Sequence, residues 1–196
     1  MENKMIGQRI SEHISTANLV LSDKKLLAQI NEAAQKIVSA YEKGGKLIAM
    51  GNGGSAADAQ HIAAEFLGKY MKERKGLAAI ALTTNSSAVT AIGNDYGYDL
   101  IFRRQLEGWL AKQDVVLGIS TSGNSPNIVK AFEYAKEKGA FTIAFVGSKP
   151  CKLDSLASIC IKVPSASTPR IQEMHIMIGH IICEYVEDGL VEKGIA

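Results

Sequence analysis

Residues 46–70 read KLIAMGNGGSAADAQHIAAEFLGKY. A short apolar run at 47–50 ends in Gly51-Asn52-Gly53-Gly54-Ser55, and a helical pattern follows at once. A strand, a glycine-rich turn and a helix in that order make a corner that can receive a phosphate or a sugar. The helix carries His61 and Glu65. Four residues apart, they lie one above the other on a single face.

Working outward, the same alternation continues. Apolar runs at 77–82 (LAAIAL), 115–119 (VVLGI), 141–146 (FTIAFV) and 159–163 (ICIKV) read as further strands. Their continuous character suits parallel strands buried on both faces. Helical segments are expected at about 55–70, 97–112, 125–138 and 169–193, with a short turn near 151–156. The last has Ile171, Met174, Ile178, Ile181, Ile182 and Tyr185 on one side. Thr168 is placed to cap it, and Pro169 to occupy its first position. Alternating βαβ units imply an α/β fold, a parallel sheet wrapped by helices, with ligands at the carboxyl ends of the strands.

Upstream, residues 3–21 carry Met5, Ile6, Ile10, Ile14 and Leu19 at helical spacing. Residues 24–43 do so more clearly, through Leu26, Leu27, Ile30, Ala33, Ala34, Ile37 and Tyr41. Asp23 is the expected N-cap between them, and Gly44-Gly45 the stop. Residues 1–196 thus form a single domain, a helical pair over 1–45 followed by an α/β core over 46–196. A partner chain could cover the apolar surface that the pair leaves outside the core.

Of 196 residues, 46% are hydrophobic and 21% charged, the balance of a globular domain. A net charge of +2 suggests neither a nucleic-acid nor a membrane partner. The charged N-terminus lacks the apolar core of a signal peptide, and no apolar run approaches the ~20 residues of a membrane span. A cytoplasmic protein is expected. Cys151, Cys160 and Cys183 show no CxxC spacing and read as inert thiols.

Three stretches after strand ends are rich in small polar residues. GNGGS (51–55) lets the backbone approach a ligand and free its N–H groups for it. Thr83-Thr84-Asn85 after the next strand supply no acidic residue for a ribose, which disfavours a dinucleotide. Ser120-Thr121-Ser122-Gly123-Asn124-Ser125 is followed by Pro126, so hydroxyls and helix N–H groups converge as a phosphate monoester requires. The third, Gly93-Asn94-Asp95, reads as a loop with polar groups for sugar hydroxyls.

His61 and Glu65, with a distant histidine, suit a divalent metal or an acid–base pair beside a carbonyl. A solvated ion pair would have the same spacing. The final helix offers His175 and His180, with Gln172 and Glu173. Gln172 and His180 lie about 12 Å apart along a helix and about 80° around it, so one ion could be shared only through extended side chains.

With these pieces together, the chain resembles the sugar isomerase (SIS) domain family. The matching stretches are GNGGSAADAQHIAAE (51–65), AIGNDYG (91–97), DVVLGISTSGNS (114–125) and RIQEMH (170–175) with His180. The resemblance implies a three-layer αβα sandwich, flavodoxin-like, with a five-stranded parallel sheet. It implies a homotetramer built partly through the N-terminal helices. The implied activity is isomerisation of sedoheptulose 7-phosphate to D-glycero-D-manno-heptose 7-phosphate, which begins bacterial heptose synthesis for lipopolysaccharide or other surface polysaccharide.

Carried over by position, Asn52, Gly53, Gly54, Glu65, Asn94, Asp95 and Gln172 contact the sugar, and Ser120, Thr121, Ser122 and Ser125 hold the phosphate. His61, Glu65, Gln172 and His180 correspond to zinc ligands. Glu65 and His180 are also the acid–base pair, and His61 and Glu65 face His180 across the reacting carbons. Lys69 stands where some members have Arg, and Pro169 where some have Asp. Alternatives are another sugar phosphate, or an adaptor like the related protein that binds the bacterial replication initiator; the presence of both Glu65 and His180 favours the enzyme.

Overall fold

The computed structural model describes residues 2–196, with side chains from Lys4 onward. Two helices come first, α1 (Glu2–Ser22) and α2 (Lys24–Glu42). Asp23 between them caps α2, its carboxylate accepting from Leu26 N at 3.0 Å. Leu26, Ile30, Ala33, Ala34, Ile37 and Tyr41 are buried, the stripe that a 3.6-residue period predicts. Helix α1 behaves differently. Met5, Ile6, Ile10, Ile14 and Leu19 are each more than half exposed, so its apolar side faces away from the chain's own core.

Five strands follow: β1 (Leu47–Gly51), β2 (Ala79–Ala81), β3 (Val115–Ile119), β4 (Phe141–Val146) and β5 (Ile159–Lys162). They form one parallel sheet in the order β2-β1-β3-β4-β5. Winding reverses between β1 and β3, so the loops after these two strands diverge and leave a crevice. Those loops are GNGGS and the Ser/Thr stretch.

The apolar runs are continuous because both faces are covered. Leu47 and Ala49 join one core with α2, α3 (Gly54–Leu67) and α8 (Thr168–Glu192). Ile48 and Met50 join the other, with α5 (Ile101–Trp109) and α6 (Pro126–Glu137). Gly118 is the thin point of the second core: a Cβ there would lie 2.3 Å from the Phe132 ring. Truncating the fully buried Phe132 to Ala would cost about 3–5 kcal/mol.

Some local expectations need correction. Gly93-Asn94-Asp95 is no loop; it is the end of α4 (Ser86–Tyr96). Asn85 starts that helix, its side chain accepting from Ala88 N at 3.0 Å, and Gly97 stops it at φ 87°. No residue of α4 is fully buried, which is why its apolar pattern is faint. The helix expected over 97–112 is a 3₁₀ turn over Tyr98–Leu100 followed by the shorter α5. Strand β2 has three residues rather than six, as an edge strand can. Helix α7 (Leu153–Leu156) is the expected short turn. At α8 the N-cap is Ser167, one residue before Thr168, and it makes no side-chain cap bond.

Candidate functional site

The glycine-rich corner is shaped by what stands against it. Gly53 has φ 56°, a left-handed conformation that favours glycine. A Cβ on Gly54 would lie 2.5 Å from Gln172 Nε2, so α8 brings its amide directly onto this turn. Asn52 and Asn127 exchange two amide bonds, each 2.9 Å, and Tyr98 donates its hydroxyl to Asn52 Oδ1 at 3.1 Å. Asn127 is buried, so the Asn52 amide is held from below by a fixed partner.

Across the crevice, Ser120 is buried with its Oγ 3.1 Å from Ser125 Oγ and 3.5 Å from Ser122 Oγ. Gly123 N donates to Ser120 Oγ and Asn124 N to Ser122 Oγ. Ser125 is the N-cap of α6 and Pro126 opens the helix, so the positive end of the helix dipole stands beside the hydroxyl cluster. Thr121 is partly exposed. Beside it opens a cavity of about 230 Å³, whose wall is completed by Ser148 and Lys149 after β4 and by Thr168. A dianionic phosphate there would meet Thr121, Ser122, Ser148, Thr168 and one cation, Lys149, whereas Ser120, Ser125 and α6 are not part of that wall.

The third feature joins α3 to α8. His61 Nε2 lies 2.9 Å from Glu65 Oε1, and His180 Nε2 lies 3.3 Å from His61 Nε2. One ligand atom from each residue falls within 4.8 Å of the others, all in one chain. Two nitrogens and a carboxylate oxygen are a donor set suited to zinc. Bonds of about 2.0–2.1 Å at a tetrahedral angle would place neighbouring ligand atoms about 3.3 Å apart, which the two imidazoles match. The Tyr70 ring stacks over His180, 5.9 Å between centroids and 30° between planes. His61 and His180 touch directly, leaving no gap between them for the reacting carbons.

Other expected residues stand elsewhere. Asn94 and Asp95 are exposed and bond each other at 2.9 Å; among the described residues neither bonds the crevice loops or the histidine cluster. Lys69 is committed to Glu73 at 2.7 Å on the surface. His175 is a core residue, its Nε2 3.3 Å from Val146 O, and burial pushes its pKa down to about 4. His13 pairs with Glu173 at 2.8 Å. The cysteines are free, and burial raises the thiols of Cys160 and Cys183 to about 12, as inert groups require.

Asn127, Tyr98, Tyr70, Arg74 and Glu187 escape the sequence reading. Asn127 left a trace, a polar residue in the first turn of a helix otherwise apolar on that side.

The SIS domain family profile matches residues 14–147. Phosphoheptose isomerase 2 of Campylobacter jejuni is 48% identical over 194 residues, 99% of this chain and 96% of that protein. The phosphoheptose isomerase of Aneurinibacillus thermoaerophilus is 50% identical over 188 residues, 96% of this chain and 95% of that one. The solved structure of phosphoheptose isomerase GmhA from Neisseria gonorrhoeae superposes with a TM-score of 0.90 at 38% identity, covering 96% of this chain and all of that one. On these matches, and on a parallel five-stranded sheet with its polar loops at the switch point, the chain belongs to the SIS domain family.

Proposed function

We propose that the chain is an aldose–ketose isomerase that converts sedoheptulose 7-phosphate to D-glycero-D-manno-heptose 7-phosphate. One observation carries the reading: Glu65 and His180, from helices far apart in sequence, meet at one point of a chain whose relatives along nearly its whole length are phosphoheptose isomerases. The reaction needs two proton movements. Glu65 takes a proton from C1 of the open-chain ketose and returns it to C2, through an enediol. His180 carries the proton that leaves the C1 hydroxyl to the oxygen on C2.

Ser120, Thr121, Ser122 and Ser125 hold the phosphate with the N-terminus of α6. Asn52, Gly53, Gly54 and Gln172 line the sugar, and Asn94 and Asp95 are carried over from the family pattern as further sugar contacts. His61, Glu65 and His180, with Gln172, would hold one zinc ion. Bound there, the ion would supply a Lewis acid for a carbonyl oxygen. Glu65 cannot be a tight ligand and a free base at the same moment, so it serves the two roles in turn, or the ion is structural.

The exposed apolar side of α1 supports use of the N-terminal helices in a homotetramer. Among the described residues no helix is long and apolar enough to cross a membrane, which accords with work in the cytoplasm.

The test is turnover of sedoheptulose 7-phosphate beside five- and six-carbon ketose phosphates, by the parent protein and by Glu65→Gln and His180→Ala. The heptose should be preferred, and each substitution should lower kcat by ~10²–10⁴-fold while sugar phosphate still binds. Near-parental rates in both variants would remove the acid–base assignment. Preference for another sugar would change the substrate alone.

A further inference from the structure

The carboxyl end of α3 is closed by a side chain from beyond the helix. Arg74 Nη2 donates to Glu65 O at 2.9 Å, and Nη1 donates to Phe66 O at 3.0 Å and Gly68 O at 2.9 Å. Carbonyls at a helix end lack partners within the helix, and here one guanidinium gathers them. Its Nε donates to Glu187 Oε1 at 2.8 Å, and both side chains are only 1% exposed. Glu187 also accepts from Tyr70 N, Met71 N and Lys72 N, at 2.9, 2.6 and 2.8 Å. Burial would raise the Glu187 carboxyl, but these four bonds outweigh it and hold it below the usual range.

The geometry points to a role beyond holding the loop. Glu187 is seven residues, about two turns, after His180, so the two share a face of α8. By fixing the Tyr70 backbone, Glu187 sets the Tyr70 ring over the His180 imidazole. Through Arg74 it also fixes the backbone of Glu65. Among the described residues, His180 Nδ1 has no hydrogen-bond partner; its ring is steadied by the Nε2 contact with His61 and by stacking. An imidazole that must present one nitrogen usually has its other nitrogen tied. Here a stacked ring takes that place.

We propose that Arg74, Glu187 and Tyr70 are positioning residues for the pair Glu65 and His180, with the Tyr70 ring setting the imidazole plane. The inference rests on the acid–base reading above. Tyr70 is partly exposed, and among the described residues its hydroxyl makes no hydrogen bond, so its ring can be tested without disturbing the buried pair.

Tyr70→Phe and Tyr70→Leu are compared with the parent for kcat and KM toward sedoheptulose 7-phosphate, with melting temperature as a check of fold. Histidine-labelled protein is followed by NMR at the His180 ring. Tyr70→Phe should keep kcat within about twofold and show one set of ring signals. Tyr70→Leu should lose kcat about tenfold or more at nearly constant KM, and its His180 signals should broaden or double. Glu187→Gln should repeat the kcat loss wherever it folds. Parental kcat and a single set of His180 signals in Tyr70→Leu, with His180→Ala inactive, would overturn the positioning role and leave the acid–base reading standing. Should His180→Ala keep its rate, that reading falls, and the NMR signals still decide what Tyr70 does.

Discussion

His61 and His180 meet Nε2 to Nε2 at 3.3 Å although 119 positions separate them in the chain. Two imidazole nitrogens at that distance share either a proton or an ion. With Glu65 Oε1 2.9 Å from His61, the three residues form a group that could hold an ion, and the proposed zinc site makes this testable. Purified protein should therefore carry about one zinc per chain by elemental analysis. His61→Ala should bind zinc at least ~10-fold more weakly, the range expected when a metal site loses part of its support. A full zinc complement in that variant would exclude His61 as a ligand.

Gly54 tests the contact between the corner and α8. In Gly54→Ala the new methyl would overlap Gln172 Nε2 at 2.5 Å and Cδ at 3.1 Å. A side-chain amide can swing away, so the fold should survive at a cost of about 1–3 kcal/mol, the range for overpacking. If Gln172 contacts the sugar as proposed, the swing moves it away, and kcat/KM should fall by about tenfold or more, equivalent to roughly 1.4 kcal/mol. Unchanged kinetics would show that Gln172 does not touch substrate.

Asn127 supports Asn52 from beneath. Asn127→Ala removes both amide bonds between them and also the Oδ1 acceptor of Ile128 N at 3.0 Å. Chemical denaturation should register a loss of about 1–3 kcal/mol, the cost of leaving buried polar groups unpaired. With Asn52 free to turn, KM for the sugar phosphate should rise. A variant with parental stability would mean that water replaces the amide without loss.

His175 gives the molecule an acid sensitivity that is separate from catalysis. Its pKa is about 4 in the folded chain against about 6.5 when unfolded. The folded state therefore resists protonation: the neutral ring's contribution is full above about pH 6.5 and is lost as pH falls toward 4. The total is ~3 kcal/mol. In His175→Leu the acceptor Val146 O keeps its bond from Val163 N at 2.9 Å, so the substitution strands no carbonyl. Melting temperature between pH 7 and 5 should fall less steeply in His175→Leu than in the parent. Parallel slopes would show that the ring is protonated in the folded state.

Helix α1 presents Ile10 and Ile14 outward, 55% and 53% exposed. Ile10→Asp adds a charge to that face and leaves the chain's own core untouched. Light scattering should find a tetramer for the parent and smaller species for the variant. A parent that runs as a monomer would remove the assembly role of α1.

Much of the fold was legible because buried parallel strands need continuous apolar runs, and 47–50, 115–119 and 141–146 have little polar interruption. The short elements were not. Helix α4 buries no residue fully, so its sequence carries little period, and Gly93-Asn94-Asp95 read as a loop. In the candidate site, His61 and Glu65 were legible as a helical pair, and the Ser/Thr stretch as a capped loop. Tyr70, Arg74 and Glu187 were not, because their roles are contacts made across α3 and α8. A tyrosine after a helix and a glutamate within another have no spacing in common.

What the sequence by itself determined is local: where strands and helices run, which turns need glycine, and which side chains share a helix face. Backbone sterics and the 3.6-residue and two-residue periods act over a few neighbours, so a short window holds the information. Only the tertiary structure decided that His180 of α8 reaches His61 of α3, that Gln172 lies on Gly54, and that Asn94 and Asp95 stand on α4 without a bond to the crevice loops. Those outcomes depend on how α3 and α8 cross one face of the sheet. Packing sets that crossing, through the whole buried surface of Ile62, Phe66, Met174, Ile178 and Ile182, and no single stretch of chain encodes it.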